Sequence, residues 1–150
     1  MLSGVLKSRR AALVNVEIVW TFVRLRRRPV WSLLIGMQYY AETAALLGIS
    51  GDGPEDFAEY LVRIGRAQDD RIEWAREGGD VVVRQHTWRL MQGVASPAAA
   101  VFDSWNALWQ GALSVHNRRL ALDVSRRLDR GDPCFEWRVC PAQGGVPCLK

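Results

Sequence analysis

Apolar residues recur at spacings of three and four along the first half of the chain and alternate with polar residues through much of the second. Leu13, Val16, Trp20, Val23 and Arg27 fall at helical intervals, with Val19 and Phe22 widening the stripe. This predicts a helix from a Ser8 cap to about Arg28, ended by Pro29. A second helix is expected from about Trp31 to Leu47. The glycines and proline between Gly48 and Pro54 then mark a loop. Asp52 or Gly53 precedes Pro54 at a first helical position, and Glu55 and Asp56 sit in the first turn, where the helix dipole favours acids. The third helix is expected to carry Phe57, Leu61, Ile64 and Ile72 on one side and to stop near Glu77, before Gly78-Gly79.

From Asp80 the period changes to two. Val81, Val82 and Val83 lead into Arg84, His86 and Trp88, which reads as a strand to about Leu90. Ser96-Pro97 opens the next element, and Phe102, Trp105, Trp109, Leu113 and His116 place a helix from Ala98 to about Asn117 that buries two indoles. Asp103, Asn106, Gln110 and Asn117 line its polar face. Leu120, Leu122, Val124 and Leu128 then alternate with polar residues up to an Asp129–Pro133 turn, and the alternation resumes at Phe135, Trp137 and Val139: a β-hairpin. Pairing Leu128 with Phe135 places Val124 opposite Val139 and Arg127 opposite Glu136, with Asp123 diagonal to Arg138. The expected fold is α+β: N-terminal helices, then a small antiparallel sheet with an inserted Trp-rich helix and a closing hairpin. In domain terms this is a basic helical arm over 1–28, one α+β domain over 29–140 and an irregular tail over 141–150.

At 150 residues, 49% hydrophobic and 24% charged, the chain has the composition of an ordinary globular protein, which excludes disordered and fibrous classes. The net charge of +4 is unevenly placed. Seven basic residues and one acid make residues 1–28 +6, leaving −2 for the remainder, so the body is no nucleic-acid cradle. Three cysteines, an odd number, do not form a disulfide framework, and reduced thiols in a cytoplasm are expected. Cys134 and Cys140 are also roughly 20 Å apart along one strand at about 3.3 Å per residue. Polar residues interrupt the stretch from Val30 to Gly48, which excludes a membrane span, and Asn15 and Glu17 interrupt any export signal.

Several residues carry two readings. His116 closes the Trp-bearing stripe near a helix C-terminus, as a general acid/base or as a packed histidine bonding a carbonyl. His86 shares its strand face with Arg84 and Trp88, as a site for a planar anion or as a solvated strand. Asp69, Asp70, Glu73 and Glu77 are spaced to meet on a helix, as metal ligands or, with Arg66, Arg71 and Arg76 between them, as a salt-bridged face. Phosphate-binding glycine motifs are absent, no cofactor is implied and no metal site is assigned.

The run from Phe102 to Val139, with Gly131-Asp132 in the turn and Trp137 in the closing strand, resembles the end of the L-2-amino-thiazoline-4-carboxylic acid hydrolase family and, more distantly, four-vinyl reductase-type ligand-binding domains. The resemblance implies a cofactor-independent hydrolase that opens a small heterocyclic or amide-like acid. Its base, donor and carboxylate-binding cation would come from His86 or His116, Asp103 or Asp132, and Arg84 or Arg118. Trp88, Trp105, Trp109 and Asn106 would line the substrate site, and Asp132 can equally brace its turn. The binding-domain alternative holds a planar ligand between the Trp-bearing helix and the sheet without turnover. Leu6 to Arg28 resembles the final helix of phage antirepressor-type DNA-binding domains. The partner classes are therefore a small-molecule substrate or ligand, nucleic acid through the basic arm alone, and a second copy of the chain, with no membrane.

Overall fold

The computed structural model describes residues 29–94 and 99–142. The basic arm, the Ser96-Pro97 opening and most of the tail lie outside the described residues. Among these residues three α-helices and four strands make an α+β fold, as the alternation of periods implies. In order they are α1 (Pro29–Thr43), α2 (Pro54–Ala67), β1 (Ile72–Glu77), β2 (Asp80–Gln85), α3 (Ala99–His116), β3 (Leu120–Arg126) and β4 (Phe135–Pro141). The strands form one antiparallel sheet in the order β1-β2-β4-β3. α2 and α3 pack on the sheet, while the main partner of α1 is α3.

Proline at the first turn starts both α1 and α2, where its missing N–H is no loss. Gly53 caps α2, and its N–H donates to Asp56 Oδ2 at 3.1 Å. The helix ends earlier than its apolar spacing predicts. Asp69 takes a left-handed φ of 59°, and the chain turns back so that Ile72 packs on Gly65, where a Cβ would lie 2.6 Å from Ile72 Cγ2. Residues 72–77 are thus strand β1, paired with β2, and the expected helix to Glu77 is corrected: Ile72 keeps its core position by strand alternation instead of helical spacing. β2 likewise stops at Gln85, short of the expected Leu90.

The hairpin keeps its expected faces but not its register. Leu122 lies opposite Val139 and Val124 opposite Trp137, two residues from the expected pairing, and an irregularity between Val124 and Arg126 brings Arg126 opposite Glu136. A two-residue slip preserves which side chains face inward, so alternation alone does not resolve it. The turn decides it: Leu128–Arg130 form a short 3-10 helix closed by Gly131 at φ 85°, which ends β3 before Leu128 can pair.

The core is aromatic. Phe135 stacks on Trp137 at 5.2 Å, Trp88 lies 5.0 Å from Trp105, and Trp105 lies 4.8 Å from Trp109. Beside it, α1 and α3 cross at two glycines. A Cβ on Gly36 would stand 1.9 Å from the Leu108 carbonyl oxygen, and one on Gly111 would stand 1.9 Å from that of Leu33. Tyr40 and His116, four and five residues beyond those glycines, meet, so the helices run in the same sense. Gly36→Ala is expected to cost about 2 kcal/mol or more by overpacking, even though alanine favours the helix by about 1 kcal/mol. Urea unfolding of the variant checks this, and a neutral or stabilising result contradicts the crossing.

Candidate functional site

The C-terminus of α3 holds the most connected ionisable group. His116 is 9% exposed, with Nδ1 2.5 Å from the Tyr40 hydroxyl and Nε2 2.8 Å from the Gly53 carbonyl oxygen. A carbonyl only accepts, so Nε2 carries the proton and donates, and Nδ1 accepts from Tyr40. Tyr40 and Phe57 enclose the ring, with centroids at 5.5 and 5.4 Å. Asn117 adds a bond from Nδ2 to the Asp52 carbonyl at 2.9 Å. This histidine ties α3, α1 and the loop before α2 together, and neither ring nitrogen is left for a substrate.

The other expected site residues are dispersed. Arg84 lies on the sheet face away from the helices, donating to both Glu77 oxygens at 2.6 and 2.9 Å and through Nε to Glu136 at 2.8 Å. These two carboxylates, Glu77 first, raise its pKa. His86 meets Glu73 at 3.1 Å near the sheet edge, while Trp88, beyond the end of β2, turns into the core. The expected Arg84–His86–Trp88 face is not formed, because the strand ends between its members. Trp105 donates to Gln85 Oε1 at 3.3 Å, and the Trp137 indole donates to the buried Asn106 carbonyl oxygen at 2.8 Å. Trp109 is buried against Tyr60. One cavity between helices and sheet, lined by Leu61, Trp105, Trp109 and Trp137 among others, holds about 10 Å³, the scale of one water.

Asp103 pairs with Arg127 Nη1 at 2.6 Å, and Arg127 also binds Asp129. Asp132 Oδ2 accepts the Arg127 N–H at 2.8 Å, bracing its turn. Of the expected ligand-binding residues Arg118 stays open. It makes no ion pair among the described residues and lines a groove of about 440 Å³ between α3 and β3 with Gln110, Leu113, Ser114, Leu120 and Leu122. The expected helical carboxylate face is also corrected, because Asp69 and Asp70 lie in the turn after α2 while Glu73 and Glu77 lie on β1. Among the described residues no cluster of three or more His, Cys, Asp or Glu side chains is placed to hold a metal ion. Cys140 is disulfide-bonded, correcting the expectation of reduced thiols throughout, and Cys134 is free and buried. No helix among the described residues is long and apolar enough to cross a membrane.

Two carboxylates, Asp70 and Glu136, are buried in surroundings that the sequence did not reveal. Asp70 accepts from Gln85 Nε2 at 2.8 Å, the Arg89 N–H at 2.8 Å and the Thr87 hydroxyl at 3.1 Å, and burial raises its pKa against those donors. Glu136, 2% exposed, accepts from Ser125 Oγ at 2.6 Å and from Arg84, with Arg126 and Arg138 at 3.7 Å. Burial opposes its ionisation, but the Ser125 hydroxyl and the Arg84 guanidinium outweigh it and hold the carboxyl below its ordinary range. The sequence signal was a lone acid between two inward aromatics, Phe135 and Trp137, opposite a row of arginines.

No family model matches the chain, and no curated protein is similar to it. Among solved structures it is similar to a trafficking protein particle complex subunit 3 from Naegleria fowleri, described as covalently bound to palmitic acid. The TM-score is 0.51 at 13% identity, over 95% of this chain and 96% of that one. The likeness defines the fold. It also corrects the hydrolase reading, since a near full-length fold neighbour is a subunit of a trafficking complex, and the side chains assigned to turnover, Arg118 apart, are spent on internal bonds.

Two measurements check this geometry. A double-mutant cycle of Tyr40→Phe and His116→Phe is expected to give a coupling of about 1 kcal/mol, and a coupling near zero contradicts the bond. Glu136 has a folded pKa below its unfolded value. Its contribution is therefore complete above about pH 4.3 and lost as pH falls through the folded value. Glu136→Gln is expected to flatten the acid limb of stability against pH, read by urea unfolding between about pH 7 and pH 3, and an unchanged limb contradicts it.

Proposed function

We propose that this chain is a non-enzymatic subunit that binds another folded protein through the outer face of α1. The observation that carries the reading is the exposure of Trp31 (49%), Leu34 (48%) and, just past the helix, Leu46 (63%). Val115 on α3 is 41% exposed as well. Large apolar side chains so placed on one helix mark association surfaces. α1 spends its other face on α3, so its residues are held in place before a partner arrives. Similarity in fold to a subunit of a multi-protein complex supports the same reading.

A photo-crosslinking residue at position 34 tests the reading in the native cell, with position 130, an exposed polar turn residue, as the control. The expected result is a discrete crosslinked species from position 34 that Trp31→Glu removes. Equal crosslinking from both positions, or none, overturns it. Sedimentation equilibrium of the purified chain separates a second copy from a different partner.

A further inference from the structure

β3 is the last strand of the sheet, paired with β4 on one side and with no strand among the described residues on the other. An open edge is a template for another chain, and proteins commonly blunt it with charge or irregularity. Here the irregularity comes late, after Val124, and Leu120–Val124 pair regularly with β4 over about 17 Å at 3.4 Å per residue. Leu120, Leu122 and Val124, on the helix side, are only partly buried. The groove of about 440 Å³ runs beside them under α3, large enough for side chains from an added strand.

Charge gives the edge a readable pattern. Arg118 lies on the groove side without an ion pair among the described residues. On the opposite face Asp123 has none among them either: Arg138, directly across on β4, turns to Asp80 at 3.8 Å and Glu136 at 3.7 Å. A second copy paired antiparallel about Leu122 sets Arg118 against Arg126, so that register is disfavoured for self-pairing.

We propose that the edge of β3 accepts an extended segment of a partner protein as a fifth strand. Its groove-side residues are apolar and end in a carboxylate that meets Arg118, and a cation on its other side meets Asp123. Main-chain bonds to β3 supply attachment, and the alternating side chains supply selection. This surface is separate from the outer face of α1, so either reading can fail without the other.

The probe is the palindromic heptapeptide Glu-Thr-Val-Lys-Val-Thr-Glu: with its lysine opposite Asp123, a terminal glutamate falls opposite Leu120 in either direction, diagonal to Arg118 and within reach of its long side chain. Its charge-reversed control is Lys-Thr-Val-Glu-Val-Thr-Lys. Both are titrated to about 1 mM against the full chain at low salt, following amide shifts and amide hydrogen exchange by NMR. The expected result is shifts and slowed exchange confined to residues 120–124, with affinity about ten-fold above the control and lost by about the same factor in Arg118→Ala, an exposed position whose change leaves the fold intact. No shifts in β3, equal binding of the two peptides, or undiminished binding to Arg118→Ala overturns the proposal. So does decanoate if it shifts the Leu113 and Leu122 methyls while the peptide leaves the β3 amides unmoved, because the groove is then a site for amphiphiles.

Discussion

The close crossing of α1 over α3 is the constraint on which the rest of the molecule depends. Two backbones approach at Gly36 and Gly111 until neither position has room for a methyl group. Only at that separation does the Tyr40 hydroxyl reach His116, one turn further along, and only then does His116 reach back to the Gly53 carbonyl ahead of α2. Three helices are thus fixed by one imidazole. The inner face of α1 is consumed by this contact, so its remaining apolar residues point outward.

The same economy runs through the sheet. Residues able to do chemistry are bound to one another before any substrate could use them: Asp70 by three donors, Glu136 by a serine and an arginine, Asn106 by the Trp137 indole. Buried polar groups satisfied in this way fix a unique packing, because each bond lost inside a low-dielectric core costs more than it would in water. Among the described residues the open features are surfaces: the apolar face of α1 and the edge of β3 beside its groove.

Much of this fold was legible in the sequence. Pro54 marked a helix start correctly, the helical spacing of Phe102, Trp105 and Trp109 placed α3 within a residue at each end, and alternation assigned the inward faces of β3 and β4; Pro29, read as the end of a preceding helix, opens α1 instead. What failed was local. Ile72 satisfied both the helical spacing and a strand's inward position, and the left-handed turn at Asp69 that separates the two carried no glycine to announce it. Hairpin register is invisible to a period of two. His116 was legible as a packed histidine but not its partners, since Tyr40 and Gly53 lie 76 and 63 residues away in sequence. Gly36 and Gly111, each inside a helical stripe, were the overlooked sign of two backbones in contact.

The claim that the chemically capable residues are fasteners is tested most directly at His116, by long-range ¹H–¹⁵N NMR of the imidazole at neutral pH. The expected spectrum shows a single tautomer, protonated at Nε2 and accepting at Nδ1, with a ring N–H protected from exchange with water. A ring protonated at Nδ1, or one whose N–H exchanges freely, would contradict it and return the histidine to solvent and to chemistry.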